Sequence, residues 1–202
     1  MAGPLEGIRV IEVANYLAAP ASAALMSDLG ADVVKIEPPD GDVYRGHRTL
    51  REEDPISFSF AVDNRGKRSM TLDLGHPEAR DVVLRLASQA DVFVTNLTPN
   101  RLRRYGLTFE EVSEAAPEVV FALLTGYGSE GPDSERPGFD GTTFFARSGM
   151  TWLIGEQGTP PVISRPGQGD HVAALNLLAG VLSALRLRGR DGGAQFVDVS
   201  LQ

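Results

Sequence analysis

Ile8-Arg-Val-Ile-Glu-Val13, the run from Ala18 to Leu29 closed by Gly30, and Asp32-Val-Val-Lys-Ile-Glu37 together decide the fold. The first and last pieces are short and rich in β-branched residues, which reads as two strands. The piece between them is rich in Ala, Leu and Met, and Gly30 suits the left-handed position just past a helix C-terminus. Strand, helix and strand make a βαβ unit, whose strands are expected to be parallel with a right-handed crossover.

The alternation continues outward from this unit. Ser69 to Leu74 reads as a third strand, and His76-Pro77 opens a helix running to about Ala90, with Pro77 in the first turn. Asp91 to Thr95 is the next strand. Thr108-Phe-Glu-Glu111 is a capping box that starts a short helix ending near Ala116, and Val119 to Thr125 is the strand after it. The polar stretch 38–57, with Pro-Pro-Asp-Gly-Asp near its start, is expected to be a long surface loop. Residues 126–138 carry four glycines and two prolines and read as a loop, 141–150 as a short helix and 158–169 as another loop. From His171, the apolar positions Val172, Leu175, Leu178, Leu182 and Leu185 recur at three and four, predicting an amphipathic helix with those residues on its packed face. Ala174, Ala179 and Gly180 would let that helix approach a neighbour closely. Arg190-Asp-Gly-Gly193 is a turn, and Gln195 to Leu201 alternates as a strand. The expectation is a single α/β domain over 1–202, a Rossmann-like parallel sheet with flanking helices, without internal repeats.

Composition bounds what such a domain can do. In 202 residues, 42% are hydrophobic and 23% charged, the ordinary range for a globular chain that can fold without staples. The absence of cysteine excludes disulfides, thiolate nucleophiles, iron–sulfur clusters and Cys-ligated zinc. Nineteen Lys and Arg against 27 Asp and Glu give a net charge of −8, which argues against a nucleic-acid binder or a basic membrane-surface protein. The opening Met-Ala-Gly-Pro-Leu-Glu-Gly-Ile-Arg has no signal-peptide pattern, and the apolar run from Leu17 to Met26 is broken by Pro20 and too short for a bilayer. A cytoplasmic protein with neither nucleic-acid nor membrane partners is expected. His47, His76 and His171 have no metal-ligand spacing, so no metal site is expected, and G-x-S-x-G is absent.

Three features bear on chemistry. Gly126-Tyr-Gly128-Ser-Glu-Gly131 fits the dinucleotide fingerprint G-x-G-x-x-G after a strand, but Pro132-Asp-Ser-Glu-Arg-Pro137 cannot open the helix whose N-terminus would hold a pyrophosphate. A glycine-rich surface loop is the simpler reading. Lys67-Arg68 and Arg101, Arg103 and Arg104 are basic clusters in an acidic chain. They suit either a phosphate-bearing ligand over the carboxyl ends of parallel strands or a solvated face. Asp170 follows Arg165-Pro-Gly-Gln-Gly169 and precedes the long helix. Locally it reads as an N-cap, while a carboxylate at a helix start with glycines around it can also act as a nucleophile on an activated acyl group.

Taken together, eight segments resemble the family III CoA-transferases, which include formyl-CoA transferase, carnitine CoA-transferase and the alpha-methylacyl-CoA racemases. They are Pro4-Leu-Glu-Gly-Ile-Arg-Val-Ile-Glu12, Leu29-Gly-Ala-Asp-Val-Val-Lys-Ile-Glu37, Asn64-Arg-Gly-Lys-Arg-Ser-Met-Thr-Leu-Asp73, Ala90-Asp-Val-Phe-Val-Thr-Asn96, Arg104-Tyr-Gly-Leu107, Thr125-Gly-Tyr-Gly-Ser-Glu-Gly-Pro132, Pro137-Gly-Phe-Asp140 and Gly169-Asp170. Their order and spacing carry the resemblance.

The resemblance implies a CoA-binding Rossmann-like domain in which Asp170 is the nucleophile, forming a mixed anhydride with the donor acyl group and then an aspartyl-CoA thioester. It implies coenzyme A as a substrate rather than a resident cofactor, with an acyl-CoA donor and a carboxylic acid acceptor. Leu17, Ala18, Leu72, Asp73, Asn96, Leu97, Thr98 and Arg104 fall where the family lines its CoA site, with Arg104 toward a CoA phosphate. Pro38 and Pro137 stand where some members have basic contacts, and Ala19 replaces the glycine usual before Pro20. Racemases of the family resemble Gly-His-Asp where this chain has Gly138-Phe-Asp140, so the α-proton base is missing. By resemblance the chain is also expected to form an interlocked homodimer, or to work with a second subunit, because it corresponds to the N-terminal half of a member. A silent fragment acting through partner binding stays open.

Overall fold

The computed structural model describes residues 3–47, 57–162 and 165–202; positions 48–56 of the expected 38–57 loop, and 163–164 of the later one, lie outside the described residues. Six strands, β1 (Arg9–Val13), β2 (Asp32–Glu37), β3 (Arg68–Thr71), β4 (Val92–Thr95), β5 (Val120–Thr125) and β6 (Gln195–Ser200), form one sheet in the order β3-β2-β1-β4-β5-β6. Every neighbouring pair is parallel, with Val10 opposite both Val33 and Val92. This is the doubly wound order, and the strand sequence reverses direction between β1 and β4.

Period-two alternation sends the strand side chains into two cores. On one face Val10, Val33, Val94, Ala122 and Leu124 pack against α1 (Ala18–Asp28) and α7 (Gln168–Asp191). On the other, Ile11, Ile36, Phe93, Phe121 and Leu123 meet α3 (Ala79–Ala87), α4 (Pro99–Tyr105) and α5 (Phe109–Ala115). β4 and β5 are buried at every position, as central strands covered on both faces must be.

Local signals explain several boundaries. Gly30, at φ +103°, closes α1 in a Schellman cap: the Ala31 N–H donates to Met26 O at 3.0 Å and the Gly30 N–H to Ser27 O at 2.9 Å. The Thr108–Glu111 capping box forms as read, the Thr108 N–H donating to Glu111 Oε2 at 3.0 Å.

Other boundaries move. Within the expected 38–57 loop, Val43–Gly46 is a 3₁₀ turn capped by Asp42, and Ser57 caps an unanticipated helix, α2 (Phe58–Asp63). The basic cluster at 101–104 lies on α4, which Pro99 starts in its first turn and Gly106, at φ +64°, ends. The short helix expected over 141–150 is a π-helical turn at Gly141–Arg147 followed by α6 (Met150–Ile154).

The long helix also turns a different face inward. Its buried stripe is Ala173, Ala174, Leu177, Val181 and Ala184, whereas Val172 and Leu175 are 45% and 56% exposed and Leu182 is exposed as well. Leu178 and Leu185 only flank the core. Apolar residues cover more of the helix than one face, so periodicity alone does not choose which part turns inward, and small residues decide instead. At Gly180 a Cβ would lie 2.5 Å from Val197 of β6, so the sheet is approached where side chains are smallest. By length and composition α7 is the one helix among the described residues that would suit a bilayer. It packs here against α1, β5 and β6.

Candidate active site

Ligands of doubly wound folds bind outside the carboxyl ends of the strands, at the point where strand order reverses. Two cavities lie there, divided by the segment that follows β1. A first, of about 130 Å³, is walled by Val13 at the end of β1 and Asn15 after it, Glu37 at the end of β2, Leu72 and Asp73 after β3, and Leu97 and Arg101 after β4. A second, of about 240 Å³, is lined by Tyr16 and Leu17 from the same segment, Tyr44, Phe139, Asp140 and Asp170.

The dividing segment is held by charges removed from water. Lys35 is 1% exposed; its Nζ lies 2.7 Å from Glu12 Oε1 and 2.9 Å from Asp42 Oδ2, and donates to the Ala14 carbonyl at 2.7 Å. Lys67 pairs with the other Glu12 oxygen at 2.7 Å and donates to the Pro20 carbonyl at 2.8 Å. Asp42 accepts the Tyr16 N–H at 3.1 and 3.2 Å. Tyr16 has φ +67°, a left-handed conformation that costs a non-glycine residue about 1–3 kcal/mol and persists only where surroundings enforce it. The buried charges are that enforcement, and they turn the Tyr16 ring to within 5.4 Å of Phe139 and 4.9 Å of Tyr44.

Asp170 sits at the start of α7, but not as its cap. Gly167, at φ +96°, takes the N-cap position, which places Asp170 third in the helix, in its first turn. Glycine permits this earlier start, and Asp140 stabilises it: the Asp140 carboxyl accepts the Gly167 N–H at 2.6 Å and the Gly141 N–H at 2.7 Å. Gly169 is required by contact, since a Cβ there would lie 2.6 Å from Phe144 Cγ. Asp170 is thereby freed from capping and held 6% exposed. Burial pushes its pKa up to about 7, and the nearby Asp140 and Asp63 carboxyls add to the rise; His171 acts in the opposite direction. A buried carboxyl poised near neutrality beside a cavity is a candidate catalytic group.

The structure brings Leu17 to the Asp170 cavity and Leu72, Asp73 and Leu97 to the neighbouring one. Ala18 is buried in the first turn of α1. Asn96 ties β4 to the dividing segment, its Nδ2 donating to Asn15 O at 2.7 Å and its Oδ1 accepting the Asn15 N–H at 3.2 Å. Thr98 is the N-cap residue of α4. Arg104 is on the exposed side of α4, its guanidinium carbon 5.7 Å from the Tyr105 ring, and the arginine in the cavity wall is Arg101. The sequence alone assigns no role to Lys35, Asp42, Tyr16 or Asp140. Lys35 has a signal, a cation set between Val34 and Ile36 in the interior of a strand. Among the described residues no group of side chains has a metal-binding arrangement. The Gly126–Gly131 stretch leads into turns rather than a helix, and Gly126 packs against Gly138, where a Cβ would meet the Gly138 Cα at 2.8 Å.

Residues 5–202 match the profile of CoA-transferase family III. The chain belongs to CoA-transferase family III. It is 36% identical over 200 residues to an (R)-2-hydroxy-4-methylpentanoate CoA-transferase of Clostridioides difficile, covering 98% of this chain and 50% of that protein. It is 38% identical over 202 residues to the beta subunit of a succinyl-CoA–L-malate CoA-transferase of Chloroflexus aurantiacus, covering 98% of this chain and 49% of the relative. The crystal structure of a CaiB/BaiF family protein from Brucella suis superimposes with a TM-score of 0.91 at 35% identity, over all of this chain and 54% of that one. The chain thus spans about half the length of the family members it matches.

Proposed function

We propose that this chain carries the CoA-binding and acyl-accepting part of a CoA-transferase that moves CoA from an acyl-CoA to a carboxylic acid, with Asp170 as the covalent acceptor. The observation that supports it most is a buried carboxyl, released from helix capping, facing a cavity that shares one backbone segment with a second cavity over the sheet switch point. The first cavity offers contacts that suit part of a CoA molecule: Leu72 and Leu97 present apolar surface to adenine or pantetheine, and Arg101 presents a guanidinium to phosphate. Asp73 lines the same cavity, Leu17 the neighbouring one, Asn96 braces the segment between them, Ala18 and Thr98 stand at the starts of α1 and α4, and Arg104 on the exposed side of α4 is free to meet a phosphate.

In this reading the Asp170 carboxylate attacks the donor thioester carbonyl, forming an acyl–aspartyl anhydride and expelling CoA thiolate. The thiolate attacks the aspartyl carbonyl, giving an aspartyl-CoA thioester and releasing the donor acid as carboxylate. An acceptor carboxylate then attacks that thioester; thiolate leaves and returns to the acceptor's carbonyl, which frees Asp170 and yields the new acyl-CoA. Each intermediate keeps the activated acyl bond, so water must be excluded, and burial of Asp170 behind Tyr16, Leu17 and Phe139 serves that end. Phe139 offers no proton acceptor, which disfavours the racemase alternative.

The two named relatives act on 2-hydroxy acids or malate, itself a 2-hydroxy acid, so that class is the first acceptor to assay. An interlocked homodimer of this chain, or a second subunit that supplies the remaining half of such an enzyme, would complete the site, and a cytoplasmic setting suits acyl-CoA substrates. Titration calorimetry with CoA tests the binding part: Arg101→Ala is expected to weaken binding several-fold, and equal affinity in Arg101→Ala and the parent chain would remove this cavity from the CoA site.

A further inference from the structure

Next to Asp170 stands a pair that the transfer mechanism does not use. Asp63, the last residue of α2, is 3% exposed, and its Oδ1 lies 2.9 Å from Nε2 of His171. Asp63 is fixed from behind, because Lys67 Nζ donates to its backbone carbonyl at 3.1 Å while paired with Glu12. His171 follows Asp170 directly in the first turn of α7, where a cation is otherwise disfavoured by the helix dipole. A histidine at that position therefore needs a partner to hold its charge, and Asp63 supplies one.

We propose that the Asp63–His171 pair is a positioning element that keeps an imidazolium beside Asp170 and thereby favours the reactive, ionised form of that carboxyl. The hydrogen bond to Asp63 raises the affinity of His171 for its proton, outweighing partial burial. The other polar groups around Asp170 are Asp140 from the loop before the π-helical turn, Asp63 from α2, and Tyr16, Tyr44 and His47 along the cavity wall. Burial and two carboxyls oppose ionisation there, and His171 is the counterweight. The inference deepens the reading of Asp170 as acyl acceptor and rests on it for catalytic meaning, while the charge coupling itself is measurable without catalysis.

The test is a carbon-13 carboxyl NMR titration of the full chain, with Asp170 assigned by loss of its signal in Asp170→Asn. In His171→Gln the Asp170 midpoint is expected to rise by about one pH unit, whereas His171→Lys, which restores a cation, is expected to return it toward the parent value. In Asp63→Asn the His171 imidazole is expected to titrate lower than in the parent. An unchanged Asp170 midpoint in His171→Gln, or equal rises in the Gln and Lys variants, overturns the proposal, the second outcome marking a purely structural role. If acyl transfer to Asp170 is absent while these midpoints shift as described, the acyl-acceptor reading fails and the charge coupling stands.

Discussion

Asp170→Asn should make the protein more stable at alkaline pH, and the gain should disappear in acid. A carboxyl lifted from 3.8 to about 7 favours its neutral form in the folded state. The sign follows from linkage: an acid with a raised folded pKa opposes folding once it ionises, so its cost is nearly absent at pH 4, grows between pH 4 and 7 and is complete above 7. At about 1.4 kcal/mol per pKa unit the full cost is about 4 kcal/mol. Asparagine keeps the shape and cannot ionise, so at pH 8 the variant should unfold about 4 kcal/mol less readily, and at pH 4 within about 1 kcal/mol of the parent. For a chain of this size that is a rise in Tm of roughly 8–16 °C at pH 8. Thermal melts by circular dichroism at pH 4, 6 and 8 read this directly. A stability difference that does not change with pH, or an Asp170→Asn chain less stable at pH 8, would refute the assignment of a costly buried carboxyl at this place.

Two further outcomes follow from the packing around the site. Lys35→Met leaves Glu12 and Asp42 buried with one cation fewer, and urea unfolding should show a loss of about 3–5 kcal/mol, since breaking a buried pair costs more than the pair contributes. Gly169→Ala sets two effects against each other: alanine favours the helix by about 1 kcal/mol, but its Cβ overlaps Phe144, and overpacking of this kind costs about 1–3 kcal/mol. The clash should win, giving a lower Tm; a Tm equal to or above the parent's would mean that Phe144 moves aside freely.

The sheet was legible because its signals are local. β-Branched runs bounded by glycine or polar residues, the Schellman glycine at Gly30 and the capping box at Thr108 all report structure within a few residues of themselves. α2 and α4 were not legible, since one is six residues long and the other seven, too short for an apolar period to stand out. The inward face of α7 was misread for the opposite reason: too many positions are apolar, and the choice falls to Gly180, Ala173 and Ala174, whose smallness matters only against a particular neighbour. Asp170 was singled out by motif, but its freedom from capping depends on Gly167 and on Asp140, which lies 27 positions away from Gly167 in sequence. Lys35, Asp42 and Lys67 likewise act on Tyr16 and Pro20 through contacts that chain order does not reveal.

CoA transfer by this chain requires that Asp170 accept an acyl or CoA group. The chain, alone and with the C-terminal half of a family member supplied in trans, is incubated with a 2-hydroxyacyl-CoA or succinyl-CoA and quenched with hydroxylamine, which converts an aspartyl anhydride or thioester to a hydroxamate, and the peptides are mapped by mass. The prediction is a hydroxamate at Asp170 that depends on acyl-CoA and is lost in Asp170→Ala. No modification at Asp170 in either arrangement, or the same labelling in Asp170→Ala, would contradict it.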